Sequence, residues 1–224
     1  MGSPFDVERY RTLPHRQAEA RELVQPTLVL GSTQRPELVA GPVARERGVE
    51  VVRRRGGGGA VLLRPGDHLW VDAWVPRDDP LWSDDVSVAA GRVGAWWRAA
   101  LGGAGVGDTT LYEGRAIPGE LGALVCFAGR GPGEVFAGER KVVGLSQWRA
   151  REGALFSACV YSHWEPAPLV ELFDLEAGVR TSIVRDLIPV ALGLQDGTGG
   201  AGDMAVLRAA LLSSFDAWGS EPSL

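Results

Sequence analysis

Apolar and polar positions alternate most regularly at residues 68–75. Leu69, Val71, Ala73 and Val75 occupy one parity, and Trp70, Asp72 and Trp74 the other. A period of two belongs to a β-strand, whose successive side chains point to opposite faces. Shorter apolar runs predict strands at 27–30, 49–54, 59–63, 110–113, 123–127, 140–149 and 154–162. Helical patterning appears at 36–47, with Pro36 in the first turn and Gly48 past the end. It appears again at 84–101, where Asp85 or Ser83 can cap the first turn, and at 182–192 and 203–218. A short helical piece is expected at 17–24, within a poorly patterned lead-in over 1–26. A Gly-rich stretch, 197–202, joins the last two helices, so 197–224 reads as a linker and a terminal helix. No internal repeat is visible. Mostly adjacent strands with interspersed helices predict an α+β domain, a mixed but mostly antiparallel sheet packed with helices.

Composition narrows the class. The 224 residues fit a single domain, 1–224. Hydrophobic residues make up 45% and charged residues 23%, so the chain can bury an ordinary globular core. A net charge of -5 argues against nucleic acid as partner. No apolar run approaches the roughly 20 residues of a membrane helix, and residues 1–16 lack the apolar core of a signal peptide. No membrane partner and a cytoplasmic location are therefore the expectation. Cys126 and Cys159 do not form a disulfide framework, and His15, His68 and His163 are too scattered for a metal cluster.

The richest local chemistry lies in Arg53-Arg54-Arg55-Gly56-Gly57-Gly58-Gly59-Ala60-Val61. Glycines admit close backbone approach, their N–H groups can form an anion-binding concavity, and arginines can grip phosphate or carboxylate. A flexible basic turn is the plainer reading of the same run. It is neither a P-loop, since no Lys follows, nor a dinucleotide fingerprint, since it leads into a strand-like run rather than a helix. The two flanking runs predict a hairpin with the glycines at its tip. The second feature is Lys141, the one lysine in a chain that otherwise uses arginine. Its compact charge suits a developing oxyanion, which a planar guanidinium serves differently.

Three segments together resemble the biotin/lipoate protein ligase family, on its lipoate–octanoate branch. Leu28-Val29-Leu30-Gly31-Ser32-Thr33-Gln34 is similar to that family's early strand and G-x-x-Q turn. The Arg53–Val61 run is similar to its R-R-x-[ST]-G-G-G-A-V loop. Gly138-Glu139-Arg140-Lys141-Val142-Val143-Gly144-Leu145-Ser146-Gln147 is similar to its G-x-[RK]-K-[ILV]-x-G-x-[AS]-Q strand. Order and spacing agree over about residues 27–163. The resemblance implies a fold like class II aminoacyl-tRNA synthetases and biotin ligases. It also implies an activity that attaches a lipoyl or octanoyl group, from a lipoate or octanoate donor, to a lysine of a carrier domain. Lys141 would meet the reactive carbonyl. Arg53, Arg54, Gly57, Gly58, Gly59, Ala60, Gly144 and Ser146 would hold the acyl group or its adenylate. ATP and Mg²⁺ would be needed in a ligase.

Cys126 opens a second route. Cys-type octanoyltransferases of this fold carry C-F-x-x-x-S-x-[YF]-[ED]-[LIV] before G-R-K, and Cys126-Phe127, Glu134-Val135 and Arg140-Lys141 resemble that layout. A thiol beside a lysine ammonium can act as nucleophile and carry the acyl group without ATP. A small core cysteine is the rival reading, and Cys159, in an apolar run, reads as core. The family's histidine after the Gly loop is Leu63 here, and its later His-Gly pair is Ala158-Cys159. Those departures keep open a relative that binds an acyl group or adenylate without turnover. A biotin ligase would carry G-R-G-R in the loop, which is absent. Trp70, Trp74, Trp82, Trp96 and Trp97 read as core before they read as an acyl tunnel.

Overall fold

The computed structural model describes residue 5 and residues 7–197 and 202–219. Among these residues, nine strands form two sheets. The larger has six antiparallel strands in the order β1 (Gln17–Arg21), β5 (His68–Pro76), β9 (Gly153–Tyr161), β8 (Arg140–Arg149), β7 (Val135–Ala137) and β6 (Thr109–Leu111). The smaller has the order β3 (Glu50–Arg53), β2 (Thr27–Leu30) and β4 (Val61–Leu63), with β3 parallel and β4 antiparallel to β2. Helices α1 (Gly41–Glu46), α2 (Val86–Gly103), α3 (Ala167–Val170), α4 (Ala177–Leu187) and α5 (Met204–Ser214) complete the domain. The mixed, mostly antiparallel sheet expected from the sequence is what forms.

The alternation along β5 explains how two layers are built on one sheet. Leu69, Val71, Ala73 and Val75 join Val93, Trp96, Trp97 and Leu101 of α2, and Leu207 and Leu211 of α5, in one core. Trp70, on the other parity, joins Leu28, Val29 and Leu30 of the small sheet in a second core with Phe127, Tyr161 and Phe173. Asp72 points to this side too and is 2% exposed. Its carboxylate accepts from Arg21 Nε at 2.7 Å, Trp70 Nε1 at 2.9 Å and Ser157 Oγ at 2.6 Å. A buried carboxylate is tolerable only when paired and hydrogen-bonded in this way. Helix α2 starts where Asp85 caps it, accepting from the N–H groups of Ser87 and Val88.

Several sequence expectations are corrected. Residues 17–21 are strand β1 rather than helix, because Ala18 and Ala20 face the core while Glu19 and Arg21 reach Tyr10 and Asp72. The 36–47 helix is split at Val39, which pairs with Phe173. Pro42 has no N–H and would clash with the carbonyl of residue 38, so one continuous helix is barred. Residues 123–127 form a turn and a 3₁₀ segment (Cys126–Ala128), with a single bridge from Val125 to Ala60. The 182–192 helix is instead α4, which begins at Ala177 and gives way before Pro189 to a 3₁₀ turn. Strand β7 was not foreseen, being only three residues long. The expected hairpin around the glycines does not form: β3 and β4 flank β2 and do not pair with each other. Much of the 197–202 linker lies outside the described residues.

The Asp72 cluster generates a stability prediction. Asp72→Ala removes the close carboxylate partner of the buried Arg21 guanidinium, leaving it the Tyr10 hydroxyl and Glu19 at 3.9 Å, and should lower the free energy of unfolding by about 3–5 kcal/mol. Adding Arg21→Met should recover a large part of that loss. Urea titration of the three proteins checks both; a change below about 1 kcal/mol in the single variant contradicts the assignment.

Candidate functional site

The glycine run crosses over the C-terminal end of β2, and the backbone explains why glycine is needed at Gly31, Gly58 and Gly59. A Cβ on Gly31 would lie 1.8 Å from the Gly58 carbonyl oxygen. One on Gly59 would lie 2.5 Å from the Val125 nitrogen. Gly58 has φ of 91°, in the region L side chains avoid. Ser32 N–H donates to Gly56 O at 3.0 Å, Ala60 N–H to Leu124 O at 2.8 Å, and Cys126 N–H to Ala60 O at 3.1 Å. Gln34 stitches the same corner: its Oε1 accepts from Gly31 N, and its Nε2 donates to the carbonyls of Ala123 and Leu124. The loop and the Cys126 segment are thus one assembly.

Arg54 sits inside the loop, 4% exposed. Its Nη2 donates to Gly57 O at 2.6 Å and Gly59 O at 2.9 Å, and lies 3.8 Å from Cys126 Sγ. The guanidinium therefore shapes the loop from within. Arg53 is exposed at the end of β3, and Arg55 is exposed and paired with Glu8.

Lys141 lies on β8, 1% exposed. Its Nζ pairs with Glu134 Oε2 at 2.7 Å and donates to the Cys126 carbonyl at 3.0 Å. Phe127 and Phe136 flank the ammonium, with ring centroids 5.8 and 5.9 Å away. Sequence reasoning placed the lysine beside the Cys126 thiol; the recorded contact is with that residue's backbone carbonyl, and Arg54 is the cation at the sulfur. Glu134 also accepts from Gly131 N–H at 2.7 Å and Leu145 N–H at 3.4 Å. Burial pushes the Glu134 carboxyl up, while the Lys141 ammonium and the two N–H donors pull it down.

These groups surround a cleft of about 450 Å³ lined by Gly57, Gly58, Cys126, Lys141 and Ser146 among the residues singled out from sequence. Gly59 and Ala60 are buried behind the loop, and Gly144 lets the Phe127 ring lie against β8, where a Cβ would be 3.1 Å from it. Two charged lining residues were missed as site residues: Glu134, noted only as part of a motif, and Arg130. Nothing short of knowing that Lys141 is buried would have called for a buried acid. Leu63 and Ala158, at the positions of the missing histidines, are both buried in the cores. Cys159 is buried as well, and burial pushes its thiol up. Trp70, Trp74, Trp96 and Trp97 are core side chains, Trp82 packs against the core, and none lines the cleft.

Among the described residues there is no group of three His, Cys, Asp or Glu suited to a metal ion. Glu134 is the one carboxylate lining the cleft and is taken up by Lys141. No helix among them is long and apolar enough to cross a membrane.

The model of one protein family, described as the lipoyl protein ligase A/B catalytic domain, matches residues 23–182. A search of curated proteins finds no match. Solved structures share the fold. A bipartite lipoate protein ligase from Thermoplasma acidophilum, studied with its E2 lipoyl domain, is 18% identical with a TM-score of 0.71, over 96% of this chain and 76% of that one. A lipoate-protein ligase A bound with ATP is 20% identical with a TM-score of 0.69, over 96% and 78%. A further T. acidophilum structure with bound lipoic acid is 18% identical with a TM-score of 0.66, over 96% and 78%.

The Lys141–Glu134 pair predicts a pH signature. An acid whose folded pKa lies above its unfolded one folds preferentially protonated, so its contribution is full at low pH and is lost as pH rises. Lys141→Met removes the main influence pulling Glu134 down. The stability gap between wild type and Lys141→Met should therefore widen from about pH 4 to about pH 8, toward the roughly 3–5 kcal/mol of a broken buried pair. Urea unfolding across that range checks it, and a gap that does not change with pH contradicts it.

Proposed function

The chain belongs to the lipoyl protein ligase A/B catalytic-domain family, and we propose that it attaches a lipoyl- or octanoyl-type acyl group to a lysine of a carrier domain. The observation that carries this reading is the convergence of the glycine loop, Cys126 and the buried Lys141 on one cleft.

In a ligase route, an acyl carboxylate oxygen attacks the α-phosphorus of ATP, the bond to the β-phosphate breaks, and pyrophosphate leaves an acyl-adenylate behind. Exposed Gly57 and Gly58 offer backbone to that anion, and Arg130 adds a cation on the cleft wall. The carrier lysine attacks the acyl carbonyl; the C–N bond forms, the C–O bond to AMP breaks, and AMP leaves with the electron pair. Lys141 supplies positive charge where the oxyanion develops. The lipoate-protein ligase A bound with ATP supports this route by fold.

A second route is favoured by the position of Cys126 in the cleft wall, with Arg54 near its sulfur. Cys126 Sγ attacks a donor thioester, the donor thiol departs, and the carrier lysine then displaces Cys126 from the acyl carbon. Arg54 stabilises the thiolate that leaves. In both routes Lys141 serves the carbonyl.

Mass spectrometry of an apo carrier domain, incubated with the protein and either lipoate plus ATP or an octanoyl-carrier donor, tests the proposal. Lys141→Ala should lower modification by about 10²–10³-fold; full activity would overturn the assignment. Cys126→Ala should abolish the ATP-independent reaction and spare the ATP-dependent one. No modification from either donor would leave a non-catalytic acyl-binding relative.

A further inference from the structure

Lys141 is the chain's one side-chain amine, and it stands in the wall of the cleft proposed to hold a reactive acyl carbonyl. A neutral amine in that place would accept the acyl group meant for the carrier. The resulting amide is stable, and every such event would remove one enzyme molecule. The reaction would form a C–N bond from Lys141 Nζ to the acyl carbon and break the C–S bond of a thioester or the C–O bond of an adenylate. The leaving group would keep the electron pair, and the proton released from nitrogen would pass to water.

The surroundings of Nζ are arranged against this. Glu134 Oε2 takes one donor bond at 2.7 Å and the Cys126 carbonyl another at 3.0 Å. Glu134 itself cannot swing away freely, because Gly131 N–H and Leu145 N–H hold its two oxygens. It is 3% exposed, so water does not compete for the ammonium. A nitrogen committed as a donor on an ion pair has no lone pair to offer. Glu134 adds no obvious help to oxyanion stabilisation, since its negative charge opposes it, so its place beside Lys141 calls for another account.

We propose that Glu134 is a positioning residue that protects Lys141 from self-acylation, holding it as a hydrogen-bond donor while the acyl group passes to another protein's lysine. The inference rests on the acyl-transfer reading above.

The test compares wild type, Glu134→Gln and Glu134→Asp, each incubated with an octanoyl thioester of N-acetylcysteamine. Peptide mapping after hydroxylamine, which removes thioesters, reads the amide at Lys141, with the N-terminal amine as internal reference. Glu134→Gln should acylate at Lys141 about tenfold faster than wild type or more, matching the loss of one charged hydrogen bond; Glu134→Asp should fall between. Equal rates in all three, or an unmodified Lys141 in folded Glu134→Gln, overturn the proposal. Circular dichroism reports folding; if Glu134→Gln is unfolded, Glu134→Asp carries the comparison and a wild-type rate there overturns it. A wild type that acylates neither Cys126 nor a carrier sinks the acyl-transfer reading alone. Labelling of Lys141 by trinitrobenzenesulfonate, which needs no catalysis, then decides the inference, with the same order of rates expected and equal rates overturning it.

Discussion

The space between Gly31 and Gly58 is too small for a single methyl group, and the site depends on that contact. It presses the glycine crossover onto the end of β2. The crossover in turn hydrogen-bonds the Cys126 segment on both sides of Ala60. Arg54 fills the loop from inside, so that four glycines, each entropically costly to order, become a fixed wall. Through Nη2, Arg54 donates to the Gly57 and Gly59 carbonyls and lies beside the Cys126 sulfur.

The opposite wall is set by β8, which carries Lys141, Leu145 and Ser146 along one stretch. Lys141 is held by an acid seven residues earlier, across the turn between β7 and β8. A buried ion pair of this kind gives little stability by itself, but breaking it is expensive. Its value lies in fixing where a charge sits. In the proposed acyl transfer, the same low-dielectric surroundings that make the pair costly would make that charge effective toward a developing oxyanion.

The sequence was most informative where periodicity or steric need left one answer. The alternation at 68–75 named both faces of the central strand, and the three family-like segments named the loop, the strand of Lys141 and the fold. It was least informative where a distant partner decided. Gln17–Arg21 is polar enough to pass for a surface helix, and becomes a strand because β5 offers an edge. Residues 49–54 and 59–63 look like neighbours in a hairpin, yet β2 lies between them. Cys126 sits on a 3₁₀ turn because the glycine crossover meets it after one bridge. Glu134 entered only through the motif it shares with Val135, and Arg130 carried no local signal, since their place in the cleft wall exists only once the cleft is closed around them.

A chain with one lysine permits a direct look at the centre of the account. Protein labelled with ¹⁵N-lysine gives a single side-chain ammonium signal, and it belongs to Lys141. Titration with lipoate plus ATP, or with an octanoyl thioester, should shift that signal in step with acyl binding, while the Lys141→Arg variant shows no side-chain ammonium signal. A signal that stays in place while an acyl group is bound and delivered to the carrier would show that Lys141 does not serve the reacting carbonyl.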